Sequence, residues 1–151
     1  MRIISFDPGE QTGWAFADLS PEGLSNVQFG YDPWKVACMQ FLKAQLGDNP
    51  FDIVVYESWR LRSTNAKQLT GSDLQSSQAI GAIKMAAWHS GAFLCTSEPS
   101  HKPVIDKAMG GDGYLPARDQ VEHYRDALRH LYWYAAFKEK IPVDKLKQIA
   151  D

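Results

Sequence analysis

The sequence predicts an α/β fold: a mixed five-stranded sheet, three antiparallel strands followed by two parallel ones, flanked by helices on both faces. Three observations predict it. The N-terminal segment alternates short β-branched and apolar runs with Gly/Pro turns, the mark of hairpins. From Phe51 onward short apolar runs alternate with helical periods, which implies crossovers between parallel strands. Phe51–Tyr56 is apolar without interruption, as a strand buried on both faces must be.

Taken in order, Met1–Phe6 reads as the first strand and Gly13–Leu19 as its hairpin partner across Pro8-Gly9. Ser20-Pro21-Glu22-Gly23 is a second turn and Asn26–Gly30 a third strand. Asp32-Pro33 reads as a helix start, Asp as cap and Pro at the first helical position, with the helix running to about Leu46 and burying Trp34, Cys38, Phe41 and Leu42 before Gly47. Ser58–Thr70 has no usable period and reads as a basic loop. Asp73–Ser90 is helical, with Ala79, Ile80, Ile83 and Ala87 at helical spacing and Gly81, Ala82 and Ala86 leaving one side slim. Ala92–Thr96 is a short strand, Ser100–Met109 a short helix, and the glycines from Gly110 to Gly113 a loop ending near Pro116. Asp119 to about Lys138 is the long final helix, capped by Asp119 with Glu122 completing a capping box, and Pro142 separates it from a short terminal helix.

At 151 residues the chain is expected to form a single domain, 1–151, with one sizeable core. No apolar run is long enough for a membrane span. The N-terminus reads as a strand and not a leader, and Cys38 and Cys95 match no metal spacing, so a cytoplasmic protein with reduced thiols is expected. The formal net charge of −2 argues against a protein that coats nucleic acid. It is compatible with a nuclease whose acidic site offsets basic patches, and Ser58–Gly71 carries Arg60, Arg62 and Lys67 with no acid.

Three acids draw attention. Asp7 ends the first strand and runs into a glycine turn, at the sheet rim where open α/β folds bind ligands. Its plainer role is to start a turn. Glu57 ends the strand Ile53–Tyr56, which would set it beside Asp7; its plainer role is a surface acid. On the last helix Asp119, Glu122, His123, Asp126 and His130 share a stripe opposite Val121, Tyr124, Leu128, Tyr132 and Ala135. Such a stripe is usually a solvated face. Asp119 and Glu122 have capping work, which leaves His123 and Asp126 as the functional pair. Clustered carboxylates repel, and a divalent cation removes the penalty. Hard oxygen ligands suit Mg2+ or Mn2+, and nothing in the sequence argues for zinc.

Ile4-Ser5-Phe6-Asp7-Pro8-Gly9 with Thr12-Gly13-Trp14-Ala15 resembles the opening of RuvC-type Holliday junction resolvases, which have a ribonuclease H-like fold. Val54-Val55-Tyr56-Glu57 is similar to their second acidic strand, and Gln78-Ala79-Ile80-Gly81 to the helix that follows. Glu98-Pro99 with Lys102 and Lys107 resembles their proline-and-lysine segment, and His123-Tyr124-Arg125-Asp126-Ala127-Leu128 the His-x-x-Asp-Ala form of their last catalytic helix. The resemblance implies a homodimer that binds a four-way DNA junction and nicks two strands symmetrically. It implies that Asp7, Glu57 and Asp126 bind metal, with His123 as ligand or proton carrier. Many members carry an acid where His123 stands, and Trp59-Arg60-Leu61 stands where the family often places an aromatic wedge. The short chain looks like a phage version, acting in the host cytoplasm. Arg60, Arg62, Lys67, Lys102 and Lys107 are the expected DNA contacts, since phosphates need cations. Trp59, Trp88 and Trp133 have two readings, base stacking or packing. The alternatives in function are a phage nuclease with a broader taste for flaps, forks or single strands, and a non-cleaving junction-binding protein on the same fold.

Overall fold

The computed structural model describes residues 1–58, 71–118 and 122–147. The chain runs β1 (Arg2–Asp7), β2 (Gln11–Ser20), β3 (Gly23–Pro33), α1 (Trp34–Leu46), β4 (Ile53–Glu57), α2 (Gly71–Ser90), β5 (Phe93–Ser97), α3 (His101–Ala108), α4 (His123–Trp133), a π-helical turn (Tyr134–Lys138) and α5 (Val143–Lys147). The five strands form one sheet in the order β3-β2-β1-β4-β5. β1, β2 and β3 are antiparallel neighbours, and β4 and β5 continue from β1 in parallel. This is the predicted mixed sheet. Among the described residues no helix is long and apolar enough to cross a membrane.

Alternation along the strands sends residues to two cores. Ile3, Ala15, Ile53 and Val55 meet α3, α4, the π turn and α5 on one face; Ile4, Phe6, Val54 and Tyr56 meet α1 and α2 on the other. The strand β4 is buried at every position from Ile53 to Tyr56, as its uninterrupted apolar run requires.

Local details differ from expectation for identifiable reasons. β3 is longer than Asn26–Gly30, and its register against β2 slips between Phe16 and Asp18. Asn26 absorbs the slip at φ 53° and donates to the Asp18 carboxylate. Asp32 does not cap α1: β3 continues through Pro33, and the Asp32 carboxylate accepts the Trp14 indole N–H at 2.9 Å. The Trp34 N–H is satisfied instead by the Glu10 carbonyl. Within α1 the buried positions are Ala37, Cys38, Phe41 and Gln45, while Trp34 and Leu42 are half-buried. Glu122 flanks α4 but its side chain makes no cap bond; it pairs with Arg118. The expected cap Asp119 and the segment Trp59–Thr70 lie outside the described residues. The last helix is not α-helical to Lys138: its final turn widens, with Glu139 N–H bonding Tyr134 O, which keeps Trp133, Tyr134 and Ala135 all in the core.

One row of residues crosses the whole sheet. Ser97 pairs with Glu57, Asp7 with Gly13, and Gly13 with Tyr31; Asp7 and Glu57 each follow the parallel pair Phe6–Tyr56. Paired residues point to the same face, here the α4 face. Helix α4 lies close on this row. The Ser5 hydroxyl donates to the Ala127 carbonyl at 2.5 Å, and a Cβ on Gly13 would stand 2.0 Å from the His123 carbonyl oxygen. Only a residue without a side chain admits the helix there.

Gly13→Ala should therefore force α4 off the sheet and lower unfolding free energy by about 1–3 kcal/mol, read from urea midpoints. Gly81→Ala, where an added Cβ meets nothing within 4 Å, should instead stabilise α2 slightly.

Candidate active site

The C-terminal ends of β1 and β4 carry Asp7 and Glu57, and the first turn of α4 carries His123 and Asp126. The fold brings all four together. His123 Nδ1 lies 2.9 Å from Asp7 Oδ2. Lys102 of α3 spans two of the acids, its Nζ 3.1 Å from Glu57 Oε2 and 3.1 Å from Asp126 Oδ2. Arg129, one turn beyond Asp126, donates to Asp126 Oδ1 at 2.7 Å and reaches back to both oxygens of Asp106 at 3.1 Å. Asp106 also accepts the Tyr114 hydroxyl at 2.7 Å.

Beneath Glu57 lies a buried chain. His130, fully inaccessible, approaches Glu57 Oε2 at 2.6 Å through Nε2 and Ser97 Oγ at 2.6 Å through Nδ1. Ser97 Oγ is 3.1 Å from His101 Nδ1, which accepts the Glu98 N–H, and the His101 ring stacks on Trp133 at 4.0 Å. This chain fixes the Glu57 rotamer from below.

The electrostatics follow from these contacts. Burial raises the Asp7 carboxyl above its usual value; the His123 bond opposes this, and the charges of Glu57 and Asp126 add to it. Burial acts on Glu57 too, but the hydrogen bond and charge of His130 and the charge of Lys102 outweigh it, so its carboxyl is held low. Lys102 is raised: burial works against its charge, and Glu57 and Asp126 overcome it. The His123 imidazole is raised, first by its bond to Asp7, against burial, and then by the charges of Asp7, Asp126 and Glu57. Arg129 is raised as well, the bonds to Asp106 and Asp126 more than offsetting burial.

Among the described residues no three carboxylate, imidazole or thiol groups close on one point as a metal cage. The Lys102 ammonium bridges Glu57 and Asp126. The donor set nevertheless fits a hard divalent cation in kind, with three mutually repelling carboxylates and one imidazole. Asp7, raised by burial and like charge, has most to gain from one.

The expected DNA contacts divide. Lys102 lies inside the acidic cluster and not on an outer surface; Lys107 is exposed on the last turn of α3. Arg60, Arg62 and Lys67 lie outside the described residues, as does Trp59. Trp133 is packed in the core and Trp88 is 63% exposed. Sequence reasoning left out His130, Ser97 and Arg129. His130 had a signal, its place on the same helical stripe as His123 and Asp126; Ser97, after a short apolar strand, had none.

The fold has counterparts among solved structures. The chain superimposes on Thermus thermophilus RuvC in complex with Holliday junction substrate with a TM-score of 0.62 at 16% identity, covering 93% of this chain and 96% of that one. A second Thermus thermophilus RuvC structure gives 0.61 at 16% identity, covering 94% and 98%. The fowlpox virus Holliday junction resolvase gives 0.52 at 13% identity, covering 93% and 99%. The chain thus has the ribonuclease H-like fold of these resolvases. No protein-family model matches the sequence, and no curated protein matches it.

The His123–Asp7 pair sets a pH dependence. With its folded pKa above the ordinary 6.5, His123 contributes stability that is complete below 6.5 and is lost as pH rises through the raised value. Imidazole proton shifts followed by NMR in chelator should give a His123 midpoint above 6.5, and Asp7→Asn should bring it down.

Proposed function

We propose that this chain is a divalent-metal-dependent endonuclease that nicks branched DNA, four-way junctions above all, by phosphodiester hydrolysis. The observation that carries the reading is the convergence of Asp7, Glu57 and Asp126, with His123, on one end of a RuvC-type sheet. The solved neighbour that superimposes with a TM-score of 0.62 is described in complex with Holliday junction substrate, which supports branched DNA as the ligand class.

In this reading Asp7, Glu57 and Asp126 hold Mg2+ or Mn2+, and His123 serves as a further ligand or carries a proton. When bound, the ion supplies water activation and charge stabilisation of the leaving oxygen. The chain's own groups do the rest. His130 and Ser97 keep Glu57 in one rotamer. Lys102, released from Glu57 and Asp126, neutralises the incoming phosphate, so the pocket exchanges one ion pair for another at little net charge cost. Arg129 keeps Asp126 aimed inward. Arg60, Arg62, Lys67 and Lys107 track the flanking phosphates, which makes affinity fall with salt.

The domain spans residues 1–151, belongs to a phage-type resolvase of the host cytoplasm, and works as a homodimer. Support for a second copy comes from α1 and α2, where Met39, Leu46, Met85 and Trp88 are each more than half exposed. An apolar groove of about 690 Å³ lies between the two helices. Symmetric nicking needs two sites, and a self-complementary patch is how a two-fold dimer is built.

Asp7→Asn, Glu57→Gln and Asp126→Asn should each drop cleavage of a labelled junction below detection while leaving junction binding by anisotropy within about threefold, since the charge they remove is not the charge that holds phosphate. A panel of junction, fork, flap and linear duplex, run with Mg2+ and with Mn2+, separates the junction enzyme from a broader nuclease; equal cutting of plain duplex would defeat the junction assignment. Met85→Glu should shift the sedimentation coefficient from dimer to monomer.

A further inference from the structure

We propose that Phe29 and Tyr31 form a stacking platform for an unpaired base of the DNA strand being cut. This rests on the nuclease reading above and deepens it by naming the DNA feature that the site engages.

The placement comes from the sheet row. Asp7, Gly13 and Tyr31 are successive partners across β1, β2 and β3, so Tyr31 stands two strand spacings, about 10 Å, from the carboxylate cluster on the same face. Gly13, between them, raises no side chain and is covered by the first turn of α4. Phe29, two residues earlier on β3, shares that face. Tyr124, next to His123 on α4, lies nearly parallel to both rings, 5.5 Å and 21° from Phe29 and 6.3 Å and 19° from Tyr31. Tyr124 is buried, but Phe29 and Tyr31 are 43% and 41% exposed. The three rings therefore make a short stack whose inner member is attached to the catalytic helix and whose outer members face solvent.

Two features separate this from an ordinary edge strand. Edge strands are normally guarded by charge, yet from Leu24 to Tyr31 the edge strand β3 carries none. The backbone under the rings is also held from behind. Gly30 faces the other side, where a Cβ would lie 2.6 Å from the Trp14 indole, and that indole is fixed by Asp32. Below, the Tyr124 hydroxyl donates to the Ala117 carbonyl at 3.1 Å. Rigid, pre-formed aromatic faces lose little entropy on binding.

The charge around the stack selects the occupant. The carboxylate cluster, where a phosphodiester would be cut, lies on one side. Arg118, 71% exposed, follows Ala117 at the hydroxyl end of Tyr124, and its contacts to Asp112 and Glu122 are long, 3.6 Å and 3.5 Å. Such exposed pairs are weak, so the guanidinium is available to a backbone phosphate. Exposed flat rings beside the carboxylate cluster, with a weakly paired guanidinium nearby, fit a nucleotide, and stacking tolerates any base. A base is free to enter only where the duplex is interrupted, as at a branch point.

The test uses the full chain in EDTA, so that cutting is not required. A four-way junction carries 5-iododeoxyuridine at successive positions around the branch, and long-wavelength ultraviolet light couples the halogenated base to an aromatic ring stacked on it. Peptide mapping should place the adduct on Phe29 or Tyr31, from one or two positions beside the branch. The double variant Phe29→Leu with Tyr31→Leu should lose the adduct and bind the junction about tenfold more weakly, with the slope against salt unchanged because no phosphate contact is lost. Adducts confined to other residues, or unchanged affinity in a double variant of normal circular dichroism, would overturn the platform while junction binding stood. If the double variant does not fold, the adduct map of the unaltered protein decides alone. Failure of the unaltered protein to bind any branched DNA would sink the nuclease reading and the platform together.

Discussion

The site depends on how closely α4 can lie on the strand ends. A row of five positions, Ser97, Glu57, Asp7, Gly13 and Tyr31, runs across the sheet on one face, and α4 sits over it. Contact at this distance is possible because Gly13 has no side chain and because Ser5, small and polar, bonds the Ala127 carbonyl. Once the helix is seated, His123 meets Asp7 and, seven residues and about 10 Å of helix further on, His130 meets Glu57. Asp7 and Glu57 are thus each met by an imidazole from the same helix, seven residues apart, while Asp126 is met by Lys102 and Arg129.

Burial imposes an electrostatic constraint on the same residues. Three carboxylates in one partly buried space are unfavourable, and the chain offsets them unevenly. Glu57 receives His130 and Lys102 and is held low; among the described residues Asp7 receives His123, and burial pushes it upward. The acid with the least internal compensation is therefore the one most responsive to an added cation. Lys102 and Arg129 also join α3 to α4 through Asp126 and Asp106, so the charge arrangement holds the helices together as well as the acids.

Much of this was legible in the sequence. The five strands, their order along the chain and the pairing of an antiparallel half with a parallel half followed from turn chemistry and from the unbroken apolar run of β4. Asp7, Glu57, His123 and Asp126 stand out in the sequence because each ends a strand or lies in the first turn of a helix, and the fold sets them near one another. What was missed depends on tertiary contacts. Asp32 has the sequence context of a cap, but the Trp14 indole, eighteen positions away, takes its carboxylate. Lys102 has the look of a surface cation, and only the packing of α3 against β4 and α4 puts it among acids. His130 reads as one of a solvated stripe because periodicity identifies a helix face without saying what covers it. The π-helical turn has no sequence signal of its own; it closes a run, His130 to Ala135, that is buried at every position.

Lys102 has one further consequence. It is a counter-ion that the polypeptide carries covalently, at a local concentration set by α3 and independent of the surroundings. Chelators and dilution remove free ions but leave this one in place, so the acidic pocket need not wait for an external cation before the chain compacts. The compensation of these acids is thereby part of the fold itself.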